Sequence, residues 1–384
     1  MKSPTVLRGI AWDHTRGFLP WVATAQRFEE LHPEVSIRWD KRSLQAFADA
    51  SLAELAATYD LIVMDHPHTA LAATQGLVLP FDDWLPADFL ADQAANSVGA
   101  SHASYMYDGR QWGLAADAAA PIATYRRDLF DHFGLELPQT WAEVLSLASD
   151  GYVTVAAFPV DILMHTYMFC DALGAEPFKR EDRLAPDEVL ADAVAQIQAL
   201  VTRCDPACLE RNPIRTAEWM SSTDAPRAAY CPFAYGYSNY SRPGYAKHPL
   251  KATGLVAING RRLRSILGGA GIAISARTRN ARACMDYAQF AASPAIQRGL
   301  YFQSGGQPGH RSAWTDDAVN AASMDFFRDT LPTLDESLVR GKFVGYMRFQ
   351  DDGSPIVHAC IRGEITPKDA AVSLNRLYRN CQSG

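Results

Sequence analysis

Two short segments of the sequence combine carboxylate, imidazole and guanidinium side chains in places where a ligand could reach them. The first segment directly follows an apolar run over residues 6–12, and the second follows a shorter apolar run over residues 61–64. Their side chains of interest are Asp13, His14 and Arg16 in the first segment and Asp65, His66 and His68 in the second. Such groups donate and accept hydrogen bonds in defined directions, as a ligand rich in hydroxyl groups requires. The sequence therefore predicts a site for a small polar molecule, with contacts from Asp13, His14, Arg16, Asp65 and His66.

Arg16 has the largest influence on the class of ligand expected at this site. A guanidinium group binds a carboxylate or phosphate through two parallel hydrogen bonds, and it also donates to neighbouring hydroxyl groups. A sugar, an acidic sugar and another small anion are therefore all compatible with this residue.

The same polar residues allow two other interpretations. Imidazole and carboxylate groups bind zinc, copper or iron, so a metal site could be drawn from His14, Asp65, His66 and His68. Neighbouring residues point in different directions, however, and no pair of histidines at helical spacing sets a geometry, so we predict no metal and no cofactor. In the other interpretation these groups only satisfy the strand ends and hydrogen-bond one another.

Aromatic residues on predicted loops are the second feature that could bind a ligand. The candidates for ligand contact are Trp12, Tyr125, Tyr235, Tyr237 and Trp314. The apolar faces of sugar rings stack on such side chains. Gly236, between two of the tyrosines, would let the backbone approach a ligand closely. The alternative is that these rings cover the edge of a hydrophobic core.

Catalysis by a cysteine is the main alternative to simple binding. Cys231 directly precedes Pro232 and an aromatic loop, but a nucleophilic thiol also needs a lowered pKa and an acid or base within reach. A buried thiol that packs as a small apolar side chain is the competing interpretation. The seven cysteines have no disulfide or zinc spacing. Because no hydrolase, metalloprotease, P-loop or dinucleotide motif is present either, we predict no catalytic residue.

The elements that must position these residues alternate between strand and helix over the first hundred residues. This order is typical of a parallel α/β sheet. The predicted strands are residues 6–12, 35–39 and 61–64, and the predicted helices are residues 21–31 and 47–55. In an open parallel sheet, the loops at the carboxyl ends of the strands converge and form the ligand site. Both polar segments leave such strand ends, so we expect them to lie close together.

Size and charge exclude several classes of protein. At 384 residues the chain is long enough for two domains, and its net charge is −7. The absence of any basic run excludes a general nucleic-acid-binding function. No apolar run approaches the roughly twenty residues that a membrane span needs, so no membrane insertion is expected.

The segment from Tyr107 to Trp141 combines turn, strand and helix signals in a specific order. The signals are a hairpin turn at Asp108-Gly109, a strand over residues 121–125, a helix end at Gly134 and a capping box formed by Thr140 and Glu143. Chance rarely places all of these signals in this sequence.

This order resembles the extracellular solute-binding proteins of ABC importers, in particular the family that includes the maltose-binding protein. The residues that carry the resemblance are Tyr107, Asp108, Gly109, Gly113, Leu114, Tyr125, Asp128, Leu129, Phe130, Gly134, Leu135, Pro138, Thr140, Trp141 and Glu143. The sequence departs from the family form at Ala115, where proline is usual, and at Arg126, where asparagine is usual. Weaker matches extend the resemblance over nearly the whole chain.

The resemblance implies an α/β fold of the type II periplasmic-binding-protein class, with two lobes and a ligand cleft between them. The expected bounds are 1–115 with 265–310 for lobe 1 and 118–260 with 314–384 for lobe 2, with crossings near 114–120, 259–268 and 309–316. Asp117 and Tyr125 would then border the cleft near the first crossing.

The resemblance also implies a function and a partner. Ligand binding would draw the lobes together, and a monomer would deliver a sugar or sugar-like molecule, either neutral or acidic, to an ABC permease. Such a protein is exported, whereas the first fourteen residues here pass directly into a strand with no apolar leader. The expectations are therefore a periplasmic binding protein whose leader lies outside this sequence, or a cytoplasmic enzyme or ligand sensor on the same fold.

Overall fold

A computed structural model describes residues 4–43 and 51–382 of the chain. Its strands are β1 (Thr5–Trp12), β2 (Val35–Arg42), β3 (Leu61–Asp65), β4 (Met106–Tyr107), β5 (Arg110–Gln111), β6 (Leu114–Ala115), β7 (Pro121–Tyr125), β8 (Tyr230–Tyr235), β9 (Lys251–Thr253), β10 (Ala257–Ile258), β11 (Arg261–Arg262) and β12 (Ala270–Ile274).

The helices occupy most of the remaining described residues. They are α1 (Thr15–Leu31), α2 (Leu52–Thr58), α3 (Thr69–Thr74), α4 (Ala87–Ala95), α5 (Ser101–Ser104), α6 (Arg127–Phe133), α7 (Trp141–Ser149), α8 (Pro159–Ala172), α9 (Asp187–Val201), α10 (Pro213–Ser222), α11 (Ala281–Ala292), α12 (Pro294–Ile296), α13 (Arg311–Trp314), α14 (Asp317–Ala321), α15 (Phe326–Asp335), α16 (Tyr346–Ile361) and α17 (Pro367–Gln382). The predicted helix over residues 47–55 overlaps α2, and its first four residues lie outside the described part of the chain.

The chain forms two compact units, and each unit is built from two stretches of sequence. Unit 1 consists of Met1–Ala119 and Gly268–Ala321, and unit 2 consists of Ala120–Leu267 and Ala322–Gly384. The third passage between the units therefore follows Ala321, beyond the predicted range 309–316. It comes later because residues up to Asn320 still pack in unit 1, where the Asn320 side-chain amide donates to the Trp314 carbonyl oxygen at 2.9 Å.

Unit 1 is organised around a five-stranded sheet with the strand order β2-β1-β3-β12-β6. Strands β1, β2 and β3 run parallel, and β12 runs antiparallel to both β3 and β6. Residues Leu61–Met64 of β3 are apolar and fully buried, as expected for a strand with helices on both faces. The carboxyl ends of β1, β2, β3 and β6 consequently lie at one edge of the sheet, together with the amino end of β12.

Helix α1 begins six residues before the predicted start at Trp21. His14 is its N-cap, and the His14 Nδ1 atom accepts a hydrogen bond from the Arg16 backbone amide at 3.0 Å. Histidine is not among the usual N-cap residues, which is why the sequence pattern missed this turn of helix. Arg16 therefore lies in the first turn of a helix, and its orientation is set by that helix.

Unit 2 contains a three-stranded antiparallel sheet with the strand order β8-β7-β9, covered by helices. Helix α8 is buried along almost its whole length and packs against α9 and α16. The capping box at the start of α7 is confirmed, because the Thr140 side chain accepts from the Glu143 amide and the Glu143 carboxylate accepts from the Thr140 amide. The Asp108-Gly109 turn is also confirmed, since both residues have positive φ angles between β4 and β5.

Candidate functional site

Loops that follow β1, β3 and β6 meet at the carboxyl edge of the sheet in unit 1. In β12, Ala270 pairs with Asp65 at the end of β3, and the Ala270 carbonyl oxygen accepts from the Asp117 amide at 2.9 Å. Asp117 also forms a bridge with Pro308, which brings a fourth segment to the same edge. The two polar segments therefore leave neighbouring strands at the same edge of this sheet.

A buried ion pair between Arg16 and Asp117 connects two of these loops. The Arg16 Nε atom donates to Asp117 Oδ2 at 2.8 Å, and Arg16 Nη2 donates to Asp117 Oδ1. The two side chains are only 4% and 0% exposed. Burial raises the pKa of the Asp117 carboxyl group, and the nearby Arg16 guanidinium opposes that rise. The positive charge of Arg16 is therefore compensated inside the protein.

Glycine is required next to Asp117 because two backbone segments approach each other closely there. Gly269 has a φ of 93°, and a Cβ atom at this position would collide with the Asp117 carbonyl oxygen. A Cβ atom at Gly309 would likewise collide with the Ala115 carbonyl oxygen. The glycine-rich run over residues 267–271 thus allows β12 and the segment after β6 to hold the Asp117 carboxylate against Arg16.

His14 presents a neutral imidazole at this edge of the sheet. Burial and, to a smaller extent, the positive charge of Arg16 lower its pKa to about 4, and the negative charge of Asp13 opposes this shift. Because Nδ1 accepts the capping hydrogen bond from Arg16, the proton of the neutral ring is on Nε2. His14 is therefore a hydrogen-bond donor at neutral pH, and an uncharged one.

Asp13 and Asp65 are the more accessible carboxylates of the two loops. The Asp13 side chain is 51% exposed and forms an ion pair with Lys41 of β2, with an Nζ to Oδ1 distance of 2.8 Å. Asp65 is half-buried at the end of β3. Both carboxylates can accept hydrogen bonds from hydroxyl groups of a ligand.

His66 lies deeper in unit 1 than its neighbour Asp65. It is 2% exposed, and its ring makes an edge-on contact with Tyr105 at a centroid distance of 6.2 Å. The Tyr105 hydroxyl in turn donates to the Met64 carbonyl oxygen at 3.0 Å. His66 and Tyr105 therefore hold the loop after β3 in place.

The two tryptophans predicted to stack on a ligand are buried in unit 1. Trp12 is 4% exposed and packs directly against Gly17, where a Cβ atom would overlap the indole ring. Trp314 is fully buried, and its Nε1 atom donates to the Pro308 carbonyl oxygen at 2.7 Å. Neither ring has an open face on which a sugar could stack, so both residues support the loops of the site.

In unit 2 the structure places Tyr235 and Tyr125 at opposite ends of the same sheet. Tyr235 pairs with Pro121 at the start of β7, whereas Tyr125 pairs with Tyr230 at its end. Four residues of strand separate the two positions by about 13 Å. Tyr125 packs on Phe130 with a ring-centroid distance of 5.2 Å, at the other end of the sheet from Tyr235.

Tyr237 follows Tyr235 closely and both side chains are half-buried. Gly236 between them packs against its own unit, because a Cβ atom there would come within 2.7 Å of Ile122 Cδ1 and 3.0 Å of Phe326 Cζ. Close packing inside unit 2 is thus sufficient to explain the glycine, without the approach of a ligand.

Arg42 is a residue of this edge that the sequence analysis did not single out. It ends β2, which runs parallel to β1, and it therefore lies at the same edge as Asp13 and Asp65. The pKa of Arg42 is lowered, mainly by burial, and the nearby Tyr59 and Asp65 side chains partly oppose this shift. Ligand sites lie at the carboxyl ends of parallel strands. The sequence would therefore have indicated Arg42 if the predicted end of the second strand had been three residues after Trp39.

The cysteines and the polar clusters show no catalytic or metal-binding arrangement in the part of the chain that the structure describes. All seven cysteines are free and buried, and burial raises the pKa of the Cys231 thiol to about 12. Within residues 4–43 and 51–382, no group of three or more histidine, cysteine or acidic side chains could hold a metal ion. In the same residues no helix has the length and apolar character needed to cross a membrane.

Comparison with known proteins decides the family. A model of the bacterial extracellular solute-binding proteins matches residues 23–324. The chain belongs to this family. A curated relative, the mannitol-binding protein of Pseudomonas aeruginosa strain PAO1, is 29% identical over 127 residues. That stretch spans 32% of this chain and only 28% of the relative.

Solved structures of solute-binding proteins share the fold over almost the whole chain. The solute-binding protein of Agrobacterium radiobacter K84 in complex with ribitol is 18% identical, with a TM-score of 0.83 over 98% of this chain and 99% of the other. The GacH receptor of Streptomyces glaucescens GLA.O, known with acarbose and an acarbose homologue, is 16% identical, with a TM-score of 0.81 over 100% and 99%. The predicted two-lobed α/β fold is confirmed.

The family also decides between binding and catalysis. Its members are substrate-binding transport proteins and not enzymes, which removes the cysteine-dependent enzyme as an alternative. The raised pKa of the buried Cys231 thiol agrees with this conclusion, because a nucleophilic cysteine needs a lowered pKa.

Proposed function

We propose that this protein binds a small neutral polyhydroxy compound, a sugar alcohol or a sugar, and delivers it to an ABC permease outside the cytoplasm. The observation that carries the proposal is the convergence of hydrogen-bonding groups at the carboxyl edge of the sheet in unit 1. Membership of the solute-binding family supports it, since open α/β sheets bind their ligands at this edge.

A neutral ligand is favoured over an acidic one by the charge of the site. Arg16 was the reason to expect an anion, and its guanidinium is paired with Asp117 in a buried, two-point contact. Of the predicted contacts in unit 1, Asp13 and Asp65 are the accessible carboxylates, with Asp13 paired to Lys41, and His14 is half-buried and uncharged. Carboxylates accept hydrogen bonds from hydroxyl groups but repel an anionic ligand.

The proposed contacts follow from exposure as well as position. In unit 1 they are Asp13, His14 and Asp65, with Arg16, Asp117, His66 and Trp12 as residues that position them. In unit 2 they are Tyr235 and Tyr237. Tyr125 and Trp314 are left out, because the first lies at the far end of the sheet from Tyr235 and the second is fully buried.

The ligands of the relatives define the compounds to test first. The curated relative is a mannitol-binding protein, and the Agrobacterium protein was crystallised with ribitol. The Streptomyces receptor binds acarbose, so the same fold also accepts oligosaccharide-like compounds. Linear five- and six-carbon alditols are therefore the first candidates, and short oligosaccharides are the second.

A thermal-unfolding screen would test the proposal. We expect mannitol, ribitol or another neutral sugar compound to raise the melting temperature, because a ligand at a hundred times its Kd stabilises the folded state by about 2.7 kcal/mol. The matched anions, such as mannonate and glucuronate, should stabilise the protein less than their neutral counterparts. Stabilisation by the anions alone would contradict the neutral-ligand proposal, and no stabilisation by either set would contradict a sugar-binding function.

A further inference from the structure

Unit 2 contains an open cavity of about 820 Å³ that none of Tyr125, Tyr235 and Tyr237 lines. Its walls are helix α10, the turn that precedes α10 and the loop around Tyr245. The volume lies within the range of about 300–1,000 Å³ that is usual for small-molecule sites. The residues that line the cavity all belong to unit 2.

Aromatic rings form the apolar part of this cavity. Tyr245 is 38% exposed and makes an edge-on contact with Tyr240 at a centroid distance of 5.3 Å. Trp219 on α10 is half-buried and lies under the guanidinium of Arg211, with a distance of 4.2 Å from Arg211 Cζ to the ring centroid. The exposed Tyr245 ring therefore offers a rigid face for stacking to a ligand, whereas one face of Trp219 is covered by Arg211.

Charged side chains of both signs surround the rings. Arg211, Arg215 and Lys247 are the cations of the lining, and Glu210 and Glu218 are the acids. Lys247 is already paired with Asp224 at 3.0 Å, which leaves two cations against two acids. The lining therefore carries no net preference for an anion or a cation.

Arg211 is the polar group with the clearest unmet hydrogen-bonding capacity. Its Nη1 atom is buried and has no hydrogen-bond partner among the described residues. A guanidinium has five N–H donors, which point outward in its plane. The flat face of the Arg211 guanidinium stacks on Trp219, so this contact occupies none of the donors. Arg211 also lines the cavity, where acceptor oxygens of a ligand would accept from its other N–H donors.

We propose that this cavity is a second carbohydrate-binding site, specific for sugars in the pyranose ring form. Rigid aromatic faces require a ligand with a flat apolar face, and the C–H face of a pyranose supplies one. The balanced arginines and glutamates bind the ring hydroxyl groups. A linear alditol has no fixed apolar face, so the cavity should discriminate against mannitol and ribitol. The volume leaves room for more than one sugar ring.

The test uses the whole protein and a set of neutral methyl pyranosides together with maltotriose. Binding is followed by calorimetry and by the indole N–H signal of Trp219 in an NMR spectrum. We expect at least one pyranoside to bind and to shift this signal. Tyr245→Ala should weaken that binding about fivefold or more, whereas Tyr245→Phe, which keeps the ring, should retain it.

Two controls separate this proposal from the ligand site proposed in unit 1. Asp65→Ala should leave the pyranoside shift of Trp219 unchanged, and Phe133→Ala removes a ring of comparable exposure on α6, outside the cavity. The proposal is overturned if no pyranoside shifts the Trp219 signal, or if Tyr245→Ala and Phe133→Ala have the same effect on affinity. Loss of the Trp219 shift in Asp65→Ala would also overturn it, since the cavity would then not be a separate site.

Discussion

Replacement of Asp117 by alanine should lower the free energy of unfolding by about 3–5 kcal/mol, because it leaves the guanidinium of Arg16 buried without a counter-charge. The effect is large since both side chains are almost inaccessible to water. Urea denaturation followed by tryptophan fluorescence would measure it. Because the pair joins the loops after β1 and β6, the same variant should also lose ligand affinity.

A matched ion pair on the surface provides the control for this prediction. Arg8 and Asp40 form a pair at 2.9 Å with both side chains 50% exposed, and Asp40→Ala should cost less than about 1 kcal/mol. The double variant Arg16→Met/Asp117→Leu should recover much of the stability, because it removes both buried charges together. Equal effects of Asp117→Ala and Asp40→Ala would contradict the described burial of the Arg16–Asp117 pair.

Acid should destabilise unit 2 through His165, which is buried in α8. Burial lowers the pKa of His165 from 6.5 to about 3. Below pH 6.5 the unfolded chain takes up a proton that the folded protein does not accept until about pH 3. The contribution of His165 to the free energy of unfolding therefore falls between these pH values, by up to about 4 kcal/mol in total.

The variant His165→Leu isolates this contribution. Its stability relative to the original protein should improve by about 3 kcal/mol between pH 7 and pH 4, as measured by urea denaturation at each pH. The variant and the original protein must be compared at the same pH, because other groups titrate in the same pH range. His14 in unit 1, with its pKa lowered to about 4, acts in the same direction as His165.

Asp161, one helical turn before His165, should show the opposite dependence on pH. Burial raises the pKa of its carboxyl group well above 3.8, so the unfolded chain releases this proton first as the pH rises. The stabilising contribution of the neutral Asp161 carboxyl group is present below pH 3.8 and is lost above it. Asp161→Asn should therefore be more stable than the original protein at pH 7.

For the His165 prediction, a stability difference between His165→Leu and the original protein that does not vary from pH 7 to pH 4 would contradict the burial of the His165 imidazole.

Local signals in the sequence predicted local structure and the edge of the sheet that carries the site. The capping box of Thr140 and Glu143 and the turn at Asp108-Gly109 depend on residues within a few positions of one another, so their geometry follows from short-range chemistry. The position of Asp13 and Asp65 at strand ends followed from the alternation of strands and helices.

Partners that are distant in sequence could not be predicted in the same way. Arg16 and Asp117 are 101 positions apart, and nothing in either segment identifies the other as its counter-ion. The separation of Tyr125 from Tyr235 depends on the antiparallel register of β7 and β8, which is set by packing of the whole sheet. The burial of Trp314 likewise follows from tertiary packing, because a tryptophan has the same side chain in a core as on a binding surface.

Calorimetric titration of a neutral alditol or sugar into the original protein and into Asp65→Ala tests the central claim most directly. Asp65 is the half-buried carboxylate where the loops of unit 1 converge, and Asp40→Ala again serves as the control on the surface. We predict that the ligand binds the original protein and the control equally, and that Asp65→Ala weakens binding about tenfold or more, because a hydrogen bond to a charged group is lost. Unchanged affinity in Asp65→Ala would contradict a ligand site at this edge of the sheet.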